Sequence, residues 1–344
     1  CNCNYGIALS NGTLALYLAY KSIGLREKDE FITTPRTFIA TASTGVILGA
    51  KPIFADVDIN SGCITAQSIE PKITAATKAI VVVHLGGWPA DMESILDLAK
   101  SKNIKVIEDC SQAHGAKINR KSVGCFGDVS AWSFCQDKIM TTGGEGGMVS
   151  TNSKELYETM WEFKDHGKNR KKMNTIENTS SFKWVHDNFG LNFRLTEVQS
   201  SIGRIQLRKL EKWNALRNRN AMILKNILRS STLLHIPEVP NNLRHGWYKF
   251  YAYIRLEALA SDWNRDRILN EIKKINYPAF SGSCSEIYLE ESFRKLNKEP
   301  YQRLANAKLM GETSIMFLIH PNILEETMVC YAKNILSVIK KATR

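Results

Sequence analysis

Residues 78–109 read KAIVVVHLGGWPADMESILDLAKSKNIKVIED. KAIVVVHL is a short β-branched run of the kind that forms a buried strand. DMESILDLAKSKN puts Met92, Ile95, Leu96 and Ala99 on one face of a helix. IKVIED is a second apolar strand, and it ends on a carboxylate, Asp109. Strand, helix and strand in so short a span make the repeating unit of a parallel sheet.

The same alternation extends on both sides. GIALS precedes the helical GTLALYLAYKSIG, which Gly24 stops. DEFITTP, the helical TFIATASTGVILGA and KPIFADVD follow. This order predicts a mostly parallel α/β sheet covered by helices on both faces. GDVSAWSF and GGMVST add two strands, and residues 196–228 form one long helical stretch. After about residue 216, strands such as YKFYAYIRL mix with the helices RDRILNEIKKI and YAKNILSVIKKA. We therefore expect a large domain over 1–215 and a smaller α+β domain over 216–344; a chain of 344 residues exceeds what one core usually organises.

Composition narrows the function classes. The chain has no apolar run of membrane-spanning length. Its eight cysteines are scattered, which fits a reducing cytoplasmic setting better than a disulfide framework. Cys1-x-Cys3 has no second paired motif to complete a metal site. The first residue is cysteine, and the opening reads like a loop entering a strand, so we expect an N-terminal segment to be missing. The formal charge is +12, which suits an anionic small molecule or nucleic acid. The densest basic run, Lys164 to Asn174, lacks interleaved aromatics and any nucleic-acid motif. It reads as a solvated loop, or as one that attracts phosphorylated substrates.

In such sheets ligands sit beyond the carboxyl ends of the strands. Three polar groups fall there. Ser10-Asn11-Gly12-Thr13 opens a helix, where free N–H groups and the dipole attract an anion; a simple capping role for Ser10 or Asn11 is the alternative. Asp109 ends a buried strand, which is costly unless the carboxylate meets a cation. Lys138 lies in SFCQDKIMTTGGEGGM, between Ser133 and the glycines 143, 144, 146 and 147. A sheltered lysine amine forms Schiff bases. An anion cup, a partner for a protonated ring nitrogen, a lysine and an aromatic face, Phe38, together describe pyridoxal 5′-phosphate. Trp132 and Phe134 alternate with Ser133 and should face the core.

The stretches ALSNGTLAL, TTPRTFIATASTGVILGAKPIFADVD, VVVHLGGWPADM, VIEDCSQAHGA, VGCFGDVSAWSF, DKIMTTGGEGGMV and GLNFRLTEVQSSIGRIQL resemble the DegT/DnrJ/EryC1/StrS family. These are pyridoxal-phosphate-dependent nucleotide-sugar aminotransferases of fold type I. The resemblance implies a seven-stranded, mostly parallel sheet between helices, and a smaller C-terminal domain. It implies that Lys138 carries the Schiff base, Asp109 pairs with the pyridine nitrogen and Gln112 contacts the ring hydroxyl region. By the same resemblance Phe38 stacks on the ring, while Gly12, Thr13 and Ser133 hold the phosphate. Asn192 is expected to reach the phosphate of the neighbouring subunit's cofactor, which implies a homodimer with shared active sites. The implied substrates are an amino acid, glutamate, and a nucleotide-linked keto-sugar; no nucleic-acid or membrane partner is expected. Relatives with histidine in place of the lysine are sugar dehydratases, and Lys138 disfavours that branch.

Substrate contacts are expected at His166, Lys168 and Arg170 near the mouth, and at His245 and Tyr288, for which packing is an equal alternative. His114 is expected to support the strand end by hydrogen bonds. Ser281 to Glu290 stands where relatives carry a substrate loop. A pyridoxal-phosphate dehydratase or lyase and a non-catalytic regulatory relative are the competing classes.

Overall fold

The computed structural model describes residues 1–174, 184–297 and 301–344. Seven strands form the main sheet, in the spatial order Tyr5–Leu9, Gly147–Thr151, Val129–Ser133, Lys105–Asp109, Thr77–Val83, Glu30–Thr33 and Lys51–Phe54. Only Gly147–Thr151 runs against the rest, pairing antiparallel with both neighbours. Its start therefore lies at the edge where the other strands end.

The central strands Thr77–Val83 and Lys105–Asp109 are buried on both faces. That is why they read as apolar runs without alternation. One side of the sheet packs on helix Gly12–Ser22 through Leu9, Leu16, Leu18 and Phe31; the other packs on helix Met92–Ser101 through Ile80, Val82 and Ile95. Each such buried side chain contributes about 1.5–3 kcal/mol. Trp132 and Phe134 sit in an apolar cluster with Cys110, Ala113 and Met140, on the face opposite Ser133.

A second sheet orders Leu234–His235, Phe250–Ile254, Ser314–Phe317 and Ala279–Phe280, all antiparallel. Helices Arg265–Lys274 and Glu325–Lys341 pack on it through Ile268, Ile272, Met328 and Ile335. The boundary expected at residue 216 differs from the observed path in two ways. Helix Glu197–Leu228 runs straight across it, because nothing there breaks its pattern. Residues from the second half also return to the first core: Ile287 N–H donates to Pro35 O, and the Asn306 and Ala307 N–H groups donate to the Asp56 carboxylate. No described helix is long and apolar enough to cross a membrane.

One buried charge ties the sheet to the loop beneath the site. Glu108 accepts N–H groups from Gly124 (2.7 Å), Phe126 (2.8 Å) and Gly127 (2.7 Å), and meets His84 Nε2 at 3.0 Å. His84 Nδ1 accepts from Ala90 N–H, so Nε2 carries the proton. Burial raises the Glu108 pKa, but the His84 contact and the backbone donors outweigh it, and the net shift is downward. A lowered carboxylate pKa stabilises the fold above the unfolded value of about 4.5 and is lost as pH falls through that range. Glu108→Ala strands four donors, three backbone N–H groups and His84 Nε2, and is expected to cost about 3 kcal/mol in urea unfolding at pH 7. Its penalty should shrink below pH 4.

Candidate active site

The carboxyl edge of the sheet surrounds a cavity of about 590 Å³. Gly12, Thr13, Phe38, Asp109, Gln112, Ser133 and Lys138 all line it. At one end stands the start of helix Gly12–Ser22. Asn11 Oδ1 caps that helix by accepting from Leu14 N–H at 2.9 Å, and the first turn carries no acidic residue. Capping thus uses Leu14 and leaves the N–H groups of Gly12 and Thr13 for a ligand. A Cβ on Gly12 would lie 2.6 Å from Ser133 Cβ, and one on Gly147 would lie 2.3 Å from Asn11 O. Only glycine lets these three chain segments close into one cradle.

Asp109 is 4% exposed. Its Oδ2 accepts from Thr41 Oγ1 at 2.8 Å and its Oδ1 from Ser111 N–H at 3.1 Å. Among the described residues no cation lies within ion-pair distance of it. A buried carboxylate facing a cavity without a cation is unbalanced, and a protonated ring nitrogen balances it.

At the far end, Lys138 Nζ donates to Tyr248 Oη at 3.4 Å and lies 3.8 Å from Asp137 Oδ1. The Tyr248 hydroxyl donates to Asp137 Oδ2. Burial, then the Asp137 contact, raises the Tyr248 pKa, so the phenol keeps its proton. Burial acts upward on Asp137 as well, yet the Tyr248 hydrogen bond and the charges of Lys138 and Lys249 bring its pKa down. Lys138, Tyr248 and Asp137 also line an adjoining cavity of about 530 Å³, with Lys249, Ser283, Cys284 and Glu290.

Tyr248 and Lys249 stand just before strand Phe250–Ile254 of the second sheet, and the turn Gly86–Gly87 positions them. Both turn glycines have positive φ, 63° and 98°. Gly86 O accepts from Tyr248 N–H (3.0 Å) and Lys249 N–H (3.2 Å), and Gly87 O accepts from Gly246 N–H (2.7 Å). Gly86 N–H donates to Gln112 Oε1 at 2.8 Å. A Cβ on Gly87 would lie 2.7 Å from Trp247 N. The glycines of HLGGW were the sequence signal for this docking; Tyr248, Asp137 and Lys249 carried no motif that singled them out.

Several expected contacts lie elsewhere. Tyr288 is buried against Phe54 and donates to Glu286 at 2.6 Å, so it packs in the core and reaches neither cavity. His245 stacks on Trp247 at 4.0 Å, and its Nδ1 accepts from Trp247 N–H. His166 and Lys168 do not line either cavity; Lys168 pairs with Asp165 at 3.3 Å. Arg170 lies over Tyr157 and Trp161, within a short helix Arg170–Asn174. Asn192 is exposed, outside the cavities of its own chain. His114 is buried between Trp132 and Phe134, and neither ring nitrogen finds a hydrogen-bond partner among the described residues. Its ring packs between the two aromatics, and its carbonyl accepts from Asn214 Nδ2 at 3.2 Å.

An anion cradle at a helix start, an unbalanced buried carboxylate and a sheltered lysine on one cavity define a site of the pyridoxal-phosphate enzymes. The residues present fit that group. Comparison with known proteins gives the lineage. The chain belongs to the DegT/DnrJ/EryC1/StrS aminotransferase family, which it matches over residues 1–333, and the aminotransferases of this family are pyridoxal-phosphate-dependent transaminases. GDP-perosamine synthase from Escherichia coli O157:H7 is 42% identical over 231 residues, 67% of this chain and 60% of that protein. The crystal structure of the aminotransferase from Psychrobacter cryohalolentis shares 45% identity with a TM-score of 0.96, over 99% of this chain and 88% of that one. NtdA from Bacillus subtilis, solved with the cofactor PMP bound, is 25% identical with a TM-score of 0.85, over 98% of this chain and 74% of that one.

Burial lowers the pKa of both His114 and His245 to about 3. For His114 the charge of Lys138 adds to this. A histidine kept neutral by the fold stabilises it above the unfolded value near 6.5, and that stability is lost as pH falls. Between pH 7 and pH 5 each ring is expected to remove about 2 kcal/mol. Chemical unfolding across that range should show the loss, and His114→Phe should roughly halve it, leaving the share of His245.

Proposed function

We propose that the chain moves an amino group from glutamate to the keto group of a nucleotide-linked sugar, as one half of a homodimer. The observation that carries this reading is the shared cavity of Lys138, Asp109 and the Gly12 helix start. The similarity to a GDP-perosamine synthase supports a sugar nucleotide as acceptor.

Bound there, pyridoxal phosphate supplies an aldehyde for the amine and a ring that withdraws electrons from the carbon beside it. Gly12, Thr13 and Ser133 hold the phosphate by N–H and hydroxyl donors. Phe38, which lines the cavity, would cover a ring face. Asp109 keeps a proton on the ring nitrogen, and Thr41 fixes the carboxylate by its 2.8 Å hydrogen bond. Gln112, its amide oxygen held by Gly86 N–H, would meet the ring's hydroxyl side. Lys138 Nζ would attach the cofactor, and as a free amine it would take the proton from the donor's α-carbon. Tyr248 accepts an N–H from Lys138 while giving its own proton to Asp137, which orients the freed amine.

Asn192 completes the neighbouring subunit's phosphate cradle. Its exposed position supports this, as do Trp184, Phe189, Leu191, Val198 and Ile205, a run of exposed apolar residues suited to a second copy.

Adding glutamate alone to the loaded protein should convert the bound cofactor to its pyridoxamine form, followed by absorbance. Lys138→Ala should slow that conversion by at least a thousandfold. A protein that takes up no pyridoxal phosphate would defeat the reading. Shared sites predict complementation: mixing inactive Lys138→Ala and Asn192→Asp chains should regain roughly a quarter of wild-type activity, because each mixed dimer holds one intact site.

A further inference from the structure

The second cavity, beyond Lys138, holds four charged groups: Asp137, Lys138, Lys249 and Glu290. Asp137 is engaged by the Tyr248 hydroxyl and stands beside Lys138. Lys249 is different. Its ammonium lies 4.6 Å from the centre of the Tyr248 ring, and Lys138 Nζ lies 4.9 Å from the same centre. Among the described residues no carboxylate comes within ion-pair distance of Lys249. Its backbone is pinned by Gly86 O, so its stem starts from a fixed point. Burial, with the charges of Lys138 and Arg217, weakens its hold on its proton despite Asp137. A half-buried cation in this state gains from an anion.

We propose that Lys249 anchors a carboxylate of the amino donor in this second cavity. The assignment rests on the aminotransferase reading, in which Lys138 is the reacting amine. Two arguments favour a carboxylate over a phosphate. Both amines lie against one phenol ring, at 4.6 Å and 4.9 Å from its centre, so Lys249 belongs to the immediate surroundings of the reacting amine. The diphosphate of a nucleotide sugar is separated from the reacting carbon by the sugar ring and belongs further out. Glu290 also lines the cavity and leaves Lys249 as the group there able to receive an anion while Lys138 is bound to the cofactor.

The test uses the pyridoxal-phosphate-loaded protein, with loading measured first. Glutarate, a dicarboxylate without an amine, and inorganic pyrophosphate serve as probes in calorimetry. Lys249→Gln is expected to weaken glutarate about tenfold or more and leave pyrophosphate within about twofold. Lys249→Arg should keep glutarate within about threefold of wild type. In turnover, Lys249→Gln should raise KM for glutamate about tenfold and change kcat less than about threefold. Unchanged glutarate binding in Lys249→Gln overturns the proposal. So does a loss confined to pyrophosphate, which would assign Lys249 to the nucleotide. Failure of both variants to load the cofactor also overturns it, since Lys249 would then serve the fold. A wild-type protein that loads no cofactor instead defeats the functional reading beneath it.

Discussion

The site depends on how closely three pieces of backbone meet at one edge of the sheet. Helix Gly12–Ser22 starts against Ser133, and the reversed strand starts against Asn11. A single methyl at Gly12 or Gly147 would sit at 2.6 Å or 2.3 Å from neighbouring atoms. Because Gly147–Thr151 runs backwards, its first residue lies beside the last residues of its two neighbours. The loop that carries Lys138 bridges one of those neighbours to this strand, so the lysine is confined to the edge where the helix dipole ends. Antiparallel insertion into a parallel sheet thus brings an anion cradle and an amine to one cavity.

Loop 138–146 is held from outside as well. Gln199, in the first turn of the long helix, donates from Nε2 to Glu145 O at 2.9 Å. Further along, Asn214 Nδ2 donates to His114 O, and Arg217 reaches Trp247 O. One helix therefore braces the lysine loop, the strand end after Asp109 and the segment that brings Tyr248. A helix of 32 residues serves this because its rise carries it past both sheets.

Most of the main sheet was legible because its signals are local. Thr77–Val83 and Lys105–Asp109 announce themselves as apolar runs, and helix Met92–Ser101 by its 3.6-residue stripe. Lys138, Asp109, Gly12 and Ser133 were legible because each sits at a strand end, and strand ends converge. Tyr248, Lys249 and Asp137 were not, since their role comes from how the second sheet docks on Gly86 and Gly87. That docking is long-range, and a strand reading of YKFYAYIRL assigns Tyr248 no direction. The choice between the two readings of Tyr288, substrate contact or packing, was open for the same reason. Residues 286–293 return to the first core after the chain has left it, and a boundary drawn along the sequence cannot register a return.

The charge balance follows from this geometry. The chain carries +12, yet its described basic run Lys164–Asn174 lines neither cavity and is partly neutralised by Asp165 and Asp187. Inside the site, the helix start offers fixed N–H dipoles to an anion, with no acidic residue in its first turn. That division is economical in physical terms. Backbone N–H groups at a helix start cost no reorganisation when a phosphate arrives, whereas a lysine brought from water must be desolvated first. A net charge of +12 attracts anionic ligands over a distance, while the helix start acts only on contact.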